Sequence, residues 1–246
     1  MRGTGLGNIP VRSRNGLLSG ARWTLYPFSS YWRGTTDREA IPWLDRFCRP
    51  GCAALDLGAH FGVFTVAMAQ RVGTSGQVIA LEPDGTARAK CVRHVRMNRL
   101  GQVRVFPEAA SSTNGTLRLV SEGDAGNSES FVSGDPGLGA AVPCVRLDDL
   151  YEKERLRPPQ FIKVDVENHG AEALAGAPAI LAGRPNILMS FHSEDELSGT
   201  RAILKPLGYH AISLSGQSID WGQALYSNAI LSTLDNPMSS SPQDKT

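Results

Sequence analysis

Asp56, Gly58, Ala59, His60 and Gly62 stand together in Ala53-Ala-Leu-Asp-Leu-Gly-Ala-His-Phe-Gly62, and Glu82 follows Asp56 by 26 residues, inside Leu81-Glu-Pro83. These types at this spacing suit a nucleotide. Gly58 permits a backbone conformation that other residues resist and lets a ligand approach the main chain. Gly62 lets a helix start close to a strand, and the free N–H groups of that helix start suit a polar or anionic group. Glu82 offers two carboxylate oxygens to the two hydroxyls of a ribose. Neither Gly-x-Gly-x-x-Gly nor the Gly-Lys-Ser/Thr of a phosphate-cradling loop is present. Asp56 would repel a pyrophosphate but suits the cationic end of S-adenosylmethionine. That molecule is therefore the expected ligand.

A second group of residues could handle a proton. Lys163, Asp165 and Glu167 recur at every second position, so in a strand they share one face. Asp165 and Glu167 then position an acceptor or act as general base, with a plain Lys163–Asp165 ion pair as the structural alternative. His192 is a further candidate base. Removing the proton of an alcohol during group transfer contributes roughly 10²–10⁴-fold. Asp165, Glu167 and His192 also offer hard and borderline metal ligands, but no metal is assigned. His60, inside the turn, is expected on cofactor or acceptor, and His169 at the surface.

The elements that must position these groups follow from periodicity. Cys52–Leu57, Gln77–Leu81, Val103–Phe106, Phe161–Val166 and Ile187–Phe191 read as strands, the first as one buried on both faces. Thr36–Phe47, Val63–Arg71, Thr86–Arg99, Leu147–Arg155, Ala171–Leu181 and Glu194–Leu207 read as helices, the fifth either broken late by Pro178 or ending near Gly183. Tyr209–Leu214 and Ala224–Leu231 read as two last strands. Asn114-Gly115 signals a hairpin between Ala109–Thr113 and Thr116–Val120, Ala141–Arg146 reads as a strand, and residues 121–139 as a mobile surface loop. Alternating strands and helices imply a mostly parallel sheet with right-handed crossovers. In such sheets ligands sit beyond the carboxyl ends of the strands. The candidate residues lie just after strands: Asp56–Gly62, Glu82, Glu108–Ala110, Asp165–Glu167 and His192.

The chain has 246 residues and a net charge of +1, so nothing in its overall charge draws it to nucleic acid or an anionic membrane. Residues 1–36 hold five arginines and no acid, and 1–35 read as a loose basic arm. No stretch is apolar over the roughly 20 residues a membrane span needs. The four cysteines lack zinc-site spacing and read as reduced thiols of a cytoplasmic protein. Residues 36–235 form the expected domain and 236–246 a disordered tail.

Taken in order, several segments resemble the FkbM family of S-adenosylmethionine-dependent methyltransferases. They are Gly34-Thr-Thr-Asp-Arg-Glu39, Leu55–Thr65, Leu81-Glu-Pro83, Glu108-Ala-Ala-Ser111 with Gly115-Thr-Leu, Val145–Leu150, and Phe161-Ile-Lys-Val-Asp-Val-Glu167 with Leu174-Ala-Gly-Ala177. The resemblance implies a class I methyltransferase fold: α/β, Rossmann-like, a mostly parallel seven-stranded sheet with helices on both faces. It also implies O-methylation of a hydroxyl on a small molecule, sugar or glycolipid. Asp56, Gly58, Ala59, His60, Gly62, Glu82 and Pro83 should hold S-adenosylmethionine, with Glu108 and Ala109 near its adenine; Asp165, Glu167 and His192 are the catalytic candidates. The expected partner is a small-molecule or glycan acceptor, not nucleic acid. The chain departs from the family pattern at His60, Asn168, Gly170 and Ser190. Loss of acids at Gly170 and Ser190 raises an alternative, a donor-binding protein without catalysis.

Overall fold

The computed structural model describes residues 9–24, 37–122, 129–133, 135 and 137–234. Its centre is the run of short apolar strands. The parallel strands are β3 (Ala53–Leu57), β4 (Gln77–Leu81), β5 (Val103–Phe106), β10 (Phe161–Val164) and β11 (Asn186–Ser190). Beyond β11, β14 (Asn228–Ser232) is inserted antiparallel between β11 and β12 (His210–Ser213). The order is β12-β14-β11-β10-β3-β4-β5, the expected seven strands, extended at the β12 edge by the two-residue β13 (Ser218–Ile219).

Alternation along the strands divides the core in two. Leu55, Leu57, Ile162, Val164, Ile187 and Met189 face α4 (Leu147–Lys153), α5 (Gly170–Ala175), α6 (Pro178–Ala182) and α7 (Glu194–Leu204). Ala54, Val78, Phe161, Leu188 and Ile230 face α1 (Ile41–Phe47) and α2 (Val63–Val72), and Ala80 on that side meets α3 (Gly85–Met97). Both faces are covered, which is why the strands read as near-continuous apolar runs. The helix expected over 171–181 is two, since Pro178 opens α6 at its first turn. That over 36–47 is a 3₁₀ turn, Arg38–Ala40, leading into α1.

Three expectations need correction. The arm is not loose over 9–24. β1 (Pro10–Arg12) and β2 (Arg22–Thr24) pair antiparallel, and Leu17, Leu18, Ala21 and Trp23 are buried against the α2 side of the core. Four apolar side chains among glycine, arginine and serine suffice to anchor this segment. Residues 1–8, 25–35 and 236–246 lie outside the described residues.

Asn114-Gly115 does not join paired strands. β6 (Ala109–Ala110) pairs parallel with β9 (Ala140–Val145), and β9 lies between β6 and β7 (Gly115–Glu122). The Asn114 side chain accepts from Arg146 N and donates to Asp149 Oδ2, so it ties the segment to the end of β9 instead of closing a two-residue turn. Residues 121–139 are not simply a loop. β8 (Glu129–Ser133) pairs antiparallel with β7 from Arg118 to Glu122, and a four-stranded sheet, β6-β9-β7-β8, results.

Candidate active site

The glycine turn begins where β3 ends. Gly58 has φ +75°, and a Cβ there would stand 1.9 Å from the carbonyl oxygen of Asp165. Only glycine allows the ends of β3 and β10 to come this close, and it places the first acid group beside the second. The strand order reverses between these two strands, where a parallel sheet leaves a crevice. The residue after Ala59 is also left-handed, with His60 at φ +49°.

Glu82 follows β4 and is buried. Its Oε2 accepts from His60 N at 2.6 Å and its Oε1 from Asp84 N at 2.8 Å. The glycine turn is thereby laced to the end of β4. Burial pushes the Glu82 carboxyl up to about 7, against the pull of those two N–H groups. Asp56, 1% exposed, accepts from Thr65 Oγ1 of α2 at 2.5 Å through Oδ2, while its buried Oδ1 has no donor among the described residues. Burial raises the Asp56 pKa, opposed by the Lys163 ammonium. His60 is held neutral, pushed down to about 4 by burial and then by Lys90 and Lys163.

One cleft runs across these groups. Asp56, Gly58, Ala59, His60, Glu82, Pro83, Glu108 and Ala109 line it, and so do Asp165 and Glu167. Gly62 does not. A Cβ at Gly62 would meet Cys91 Sγ at 2.8 Å, so this glycine serves the packing of α2 on α3. His192 lines an adjoining cleft that shares Asp37, Phe64, Lys163, Asp165 and Glu167 with the first. The two clefts meet at the acids after β10.

Strand alternation does not describe those acids. β10 stops at Val164, and Glu167 and Asn168 have φ +44° and +67°. Glu167 reaches the site from a left-handed turn. Lys163 Nζ lies 2.6 Å from Asp165 Oδ2, so the ion pair forms. Burial favours the neutral Asp165, but the Lys163 ammonium, His192 and Ser190 together outweigh it and hold the carboxyl below its usual range. The other Asp165 oxygen, Oδ1, is 3.4 Å from His192 Nε2, and Glu167 Oε2 is 3.5 Å from the same nitrogen. Three acids, Glu196 first, raise the His192 pKa against burial.

Several residues of the site were not read from the sequence. Leu119 and Val132 of the small sheet form a wall of the first cleft, and Phe64 and Asp37 border both. Glu196 is the most consequential. Ser193-x-x-Glu196 carries the pattern of a helix capping box, and Ser193 Oγ does accept from Glu196 N. The Glu196 carboxylate, however, turns inward. It accepts from Gly170 N and from His192 N, each at 2.9 Å, joining the segments after β10 and β11. A Cβ at Gly170 would lie 2.8 Å from Glu196 Oε1 and 2.4 Å from Met189 Cε. The space for a side chain at 170 is filled by the carboxylate of Glu196.

A parallel sheet with one antiparallel insertion near its edge, and a glycine turn and acid at the reversal point, defines the class I methyltransferase fold. Residues 56–211 match the methyltransferase FkbM domain, and the chain belongs to the FkbM family of S-adenosylmethionine-dependent methyltransferases. Among curated proteins none matches the sequence. Solved structures that it resembles include a putative rRNA methylase from Clostridium thermocellum (14% identity, 78% of this chain and 91% of that one, TM-score 0.49). Others are an O-methyltransferase from Bacillus cereus in complex with SAH (15%, 80% and 80%, 0.48) and Aeropyrum pernix fibrillarin with bound S-adenosyl-L-methionine (13%, 94% and 84%, 0.47).

Proposed function

We propose that the protein transfers the methyl group of S-adenosylmethionine to a hydroxyl oxygen of a small molecule, sugar or glycolipid. The observation that carries this reading is the single path of cleft from Glu82 to the Asp165–Glu167–His192 cluster. Buried acceptors without protein donors test whether the donor fits. Among the described residues Asp56 Oδ1 and Glu108 Oε2 are such atoms, and both residues line the cleft. The donor carries an amine, two ribose hydroxyls and an adenine amino group, and each can donate. Glu82 would hold the ribose, Asp56 would face the methionine end, and Glu108 with Ala109 would lie along the adenine. Bound there, the donor supplies a carbon already activated by sulfonium.

The protein's own part is alignment and proton handling. Alignment of two reactants reaches effective molarities of about 10⁵ M or more. Asp165, Glu167 and His192 stand where the two clefts meet, so an acceptor in the second cleft presents its hydroxyl to them. Its proton would pass to this cluster as the oxygen–carbon bond forms and the carbon–sulfur bond of the donor breaks, with S-adenosylhomocysteine leaving. His60, neutral, lines the donor side and adds no positive charge beside the sulfonium. Trp23, Trp43 and Cys48 belong to the core.

Methyl transfer from labelled S-adenosylmethionine to a panel of hydroxyl-bearing acceptors tests the reading. Labelled methyl ether, lost in Asp165→Asn, supports it. Transfer only to nitrogen or carbon overturns O-methylation. Tight S-adenosylhomocysteine binding with no transfer to any acceptor class favours the non-catalytic donor-binding protein instead.

A further inference from the structure

The geometry at the junction of the two clefts points to a divalent-cation site formed by Asp165, Glu167 and His192, and we propose that the protein binds one such ion there. The inference rests on the functional reading above and deepens it, because the ion would sit beside the acceptor.

The donor set is mixed, two carboxylate oxygens and one imidazole nitrogen. One atom from each residue can be chosen so that all lie within 4.8 Å of one another. Nε2 of His192 stands 3.4 Å from Asp165 Oδ1 and 3.5 Å from Glu167 Oε2. Ligands about 2.0–2.3 Å from an ion, at neighbouring corners of an octahedron, are separated by roughly 3 Å. The two imidazole–carboxylate separations are therefore only slightly wider than those of a closed site, and the two acids lie within 4.8 Å of each other.

The surroundings of His192 support this orientation independently. Metal-bound histidines characteristically have their second nitrogen facing a carboxylate or carbonyl, which fixes the ring. Here Nδ1 faces Oε2 of Glu196 at 3.5 Å, and the Glu196 side chain is fully buried. Backbone N–H groups of Gly170 and His192 hold that carboxylate in place. Nε2 is thus aimed at the two acids. Lys163, the nearest cation, occupies the opposite oxygen of Asp165, Oδ2, and leaves Oδ1 toward the imidazole.

Oxygen-rich sites with one imidazole suit Mg²⁺ or Mn²⁺ better than thiophilic ions. Three protein ligands leave positions of an octahedral ion open toward the second cleft, where Ser190 and Asn228 stand. An acceptor oxygen could occupy one of them.

Mn²⁺ titration of the full-length protein, followed by loss of the free-ion electron paramagnetic resonance signal, tests the site. His192→Ala and Glu167→Gln are measured beside it, with S-adenosylhomocysteine affinity by calorimetry as a check on each variant. The expected result is stoichiometric Mn²⁺ binding, competed by Mg²⁺. Each ligand substitution should weaken it by at least about tenfold, as should Glu196→Gln behind His192. S-adenosylhomocysteine binding should be retained in each variant, and its affinity unchanged in His192→Ala, whose side chain lines only the second cleft. Absence of stoichiometric Mn²⁺ binding by a sample that binds S-adenosylhomocysteine overturns the cation site and leaves the cluster a carboxylate-held imidazole. Mn²⁺ affinity equal in wild type and in a variant that keeps S-adenosylhomocysteine binding overturns it too. Neither result touches the donor site, whereas loss of S-adenosylhomocysteine binding by the wild type would count against the functional reading itself.

Discussion

Glu82 makes the most specific demands of any single residue. It is buried, two N–H groups already point at it, and burial pushes its pKa up to about 7. In the unfolded chain the carboxyl titrates near its ordinary value, so between that value and about 7 the folded state holds a proton that the unfolded state lacks. This contribution to stability is therefore lost as pH rises through that window. In the proposed role of Glu82 the ribose hydroxyls would donate to the ionised form, so S-adenosylhomocysteine affinity should rise with pH up to about 7 and then level off. Calorimetry in buffers on either side of that value reads the change, and Glu82→Gln should flatten it. Glu82→Ala should weaken binding by about 1.5–3 kcal/mol through loss of charge-assisted hydrogen bonds. Glu82 was legible in the sequence because its neighbours in the chain set it at the end of a strand. Glu196 was not. Its spacing from Ser193 fits a cap, and only the fold shows that the carboxylate joins two segments distant in sequence.

At the scale of elements, close approach of main chains sets the geometry. Gly58→Ala would force a Cβ against the Asp165 carbonyl at a positive φ. A loss of more than about 1 kcal/mol is expected, together with weaker S-adenosylhomocysteine binding, both readable in one thermal-shift series. The N-terminal hairpin is a second test. Trp23 is fully buried and stacks on His94 at 3.6 Å between ring centres. Nδ1 of His94 donates to the Phe61 carbonyl, so Nε2 accepts from Thr24, and the hairpin is tied to the glycine turn. Trp23→Ala should cost about 3–5 kcal/mol in denaturant unfolding. The central strands were legible because burial on both faces leaves a plain apolar run. The hairpin was hidden by its glycine- and arginine-rich composition. The small sheet was missed because Asn114-Gly115 mimics a tight turn whose strands do not pair, a matter of long-range register.

For the whole molecule, one sheet with both faces covered holds the glycine turn, Glu82 and the acids after β10 in a single frame. Ligand bound to that frame stabilises all of it. S-adenosylhomocysteine at about 100 times its Kd should add about 2.7 kcal/mol to unfolding. Net charge +1 gives no pull toward polyanions, so RNA or DNA binding should be weak at physiological salt. No helix among the described residues is long and apolar enough to cross a membrane. The central claim is the donor site, and calorimetric titration of the purified protein with S-adenosylhomocysteine tests it most directly. The account expects saturable binding of one ligand per chain in the micromolar range, weakened in Glu82→Ala. A folded sample that binds neither S-adenosylhomocysteine nor S-adenosylmethionine would contradict it.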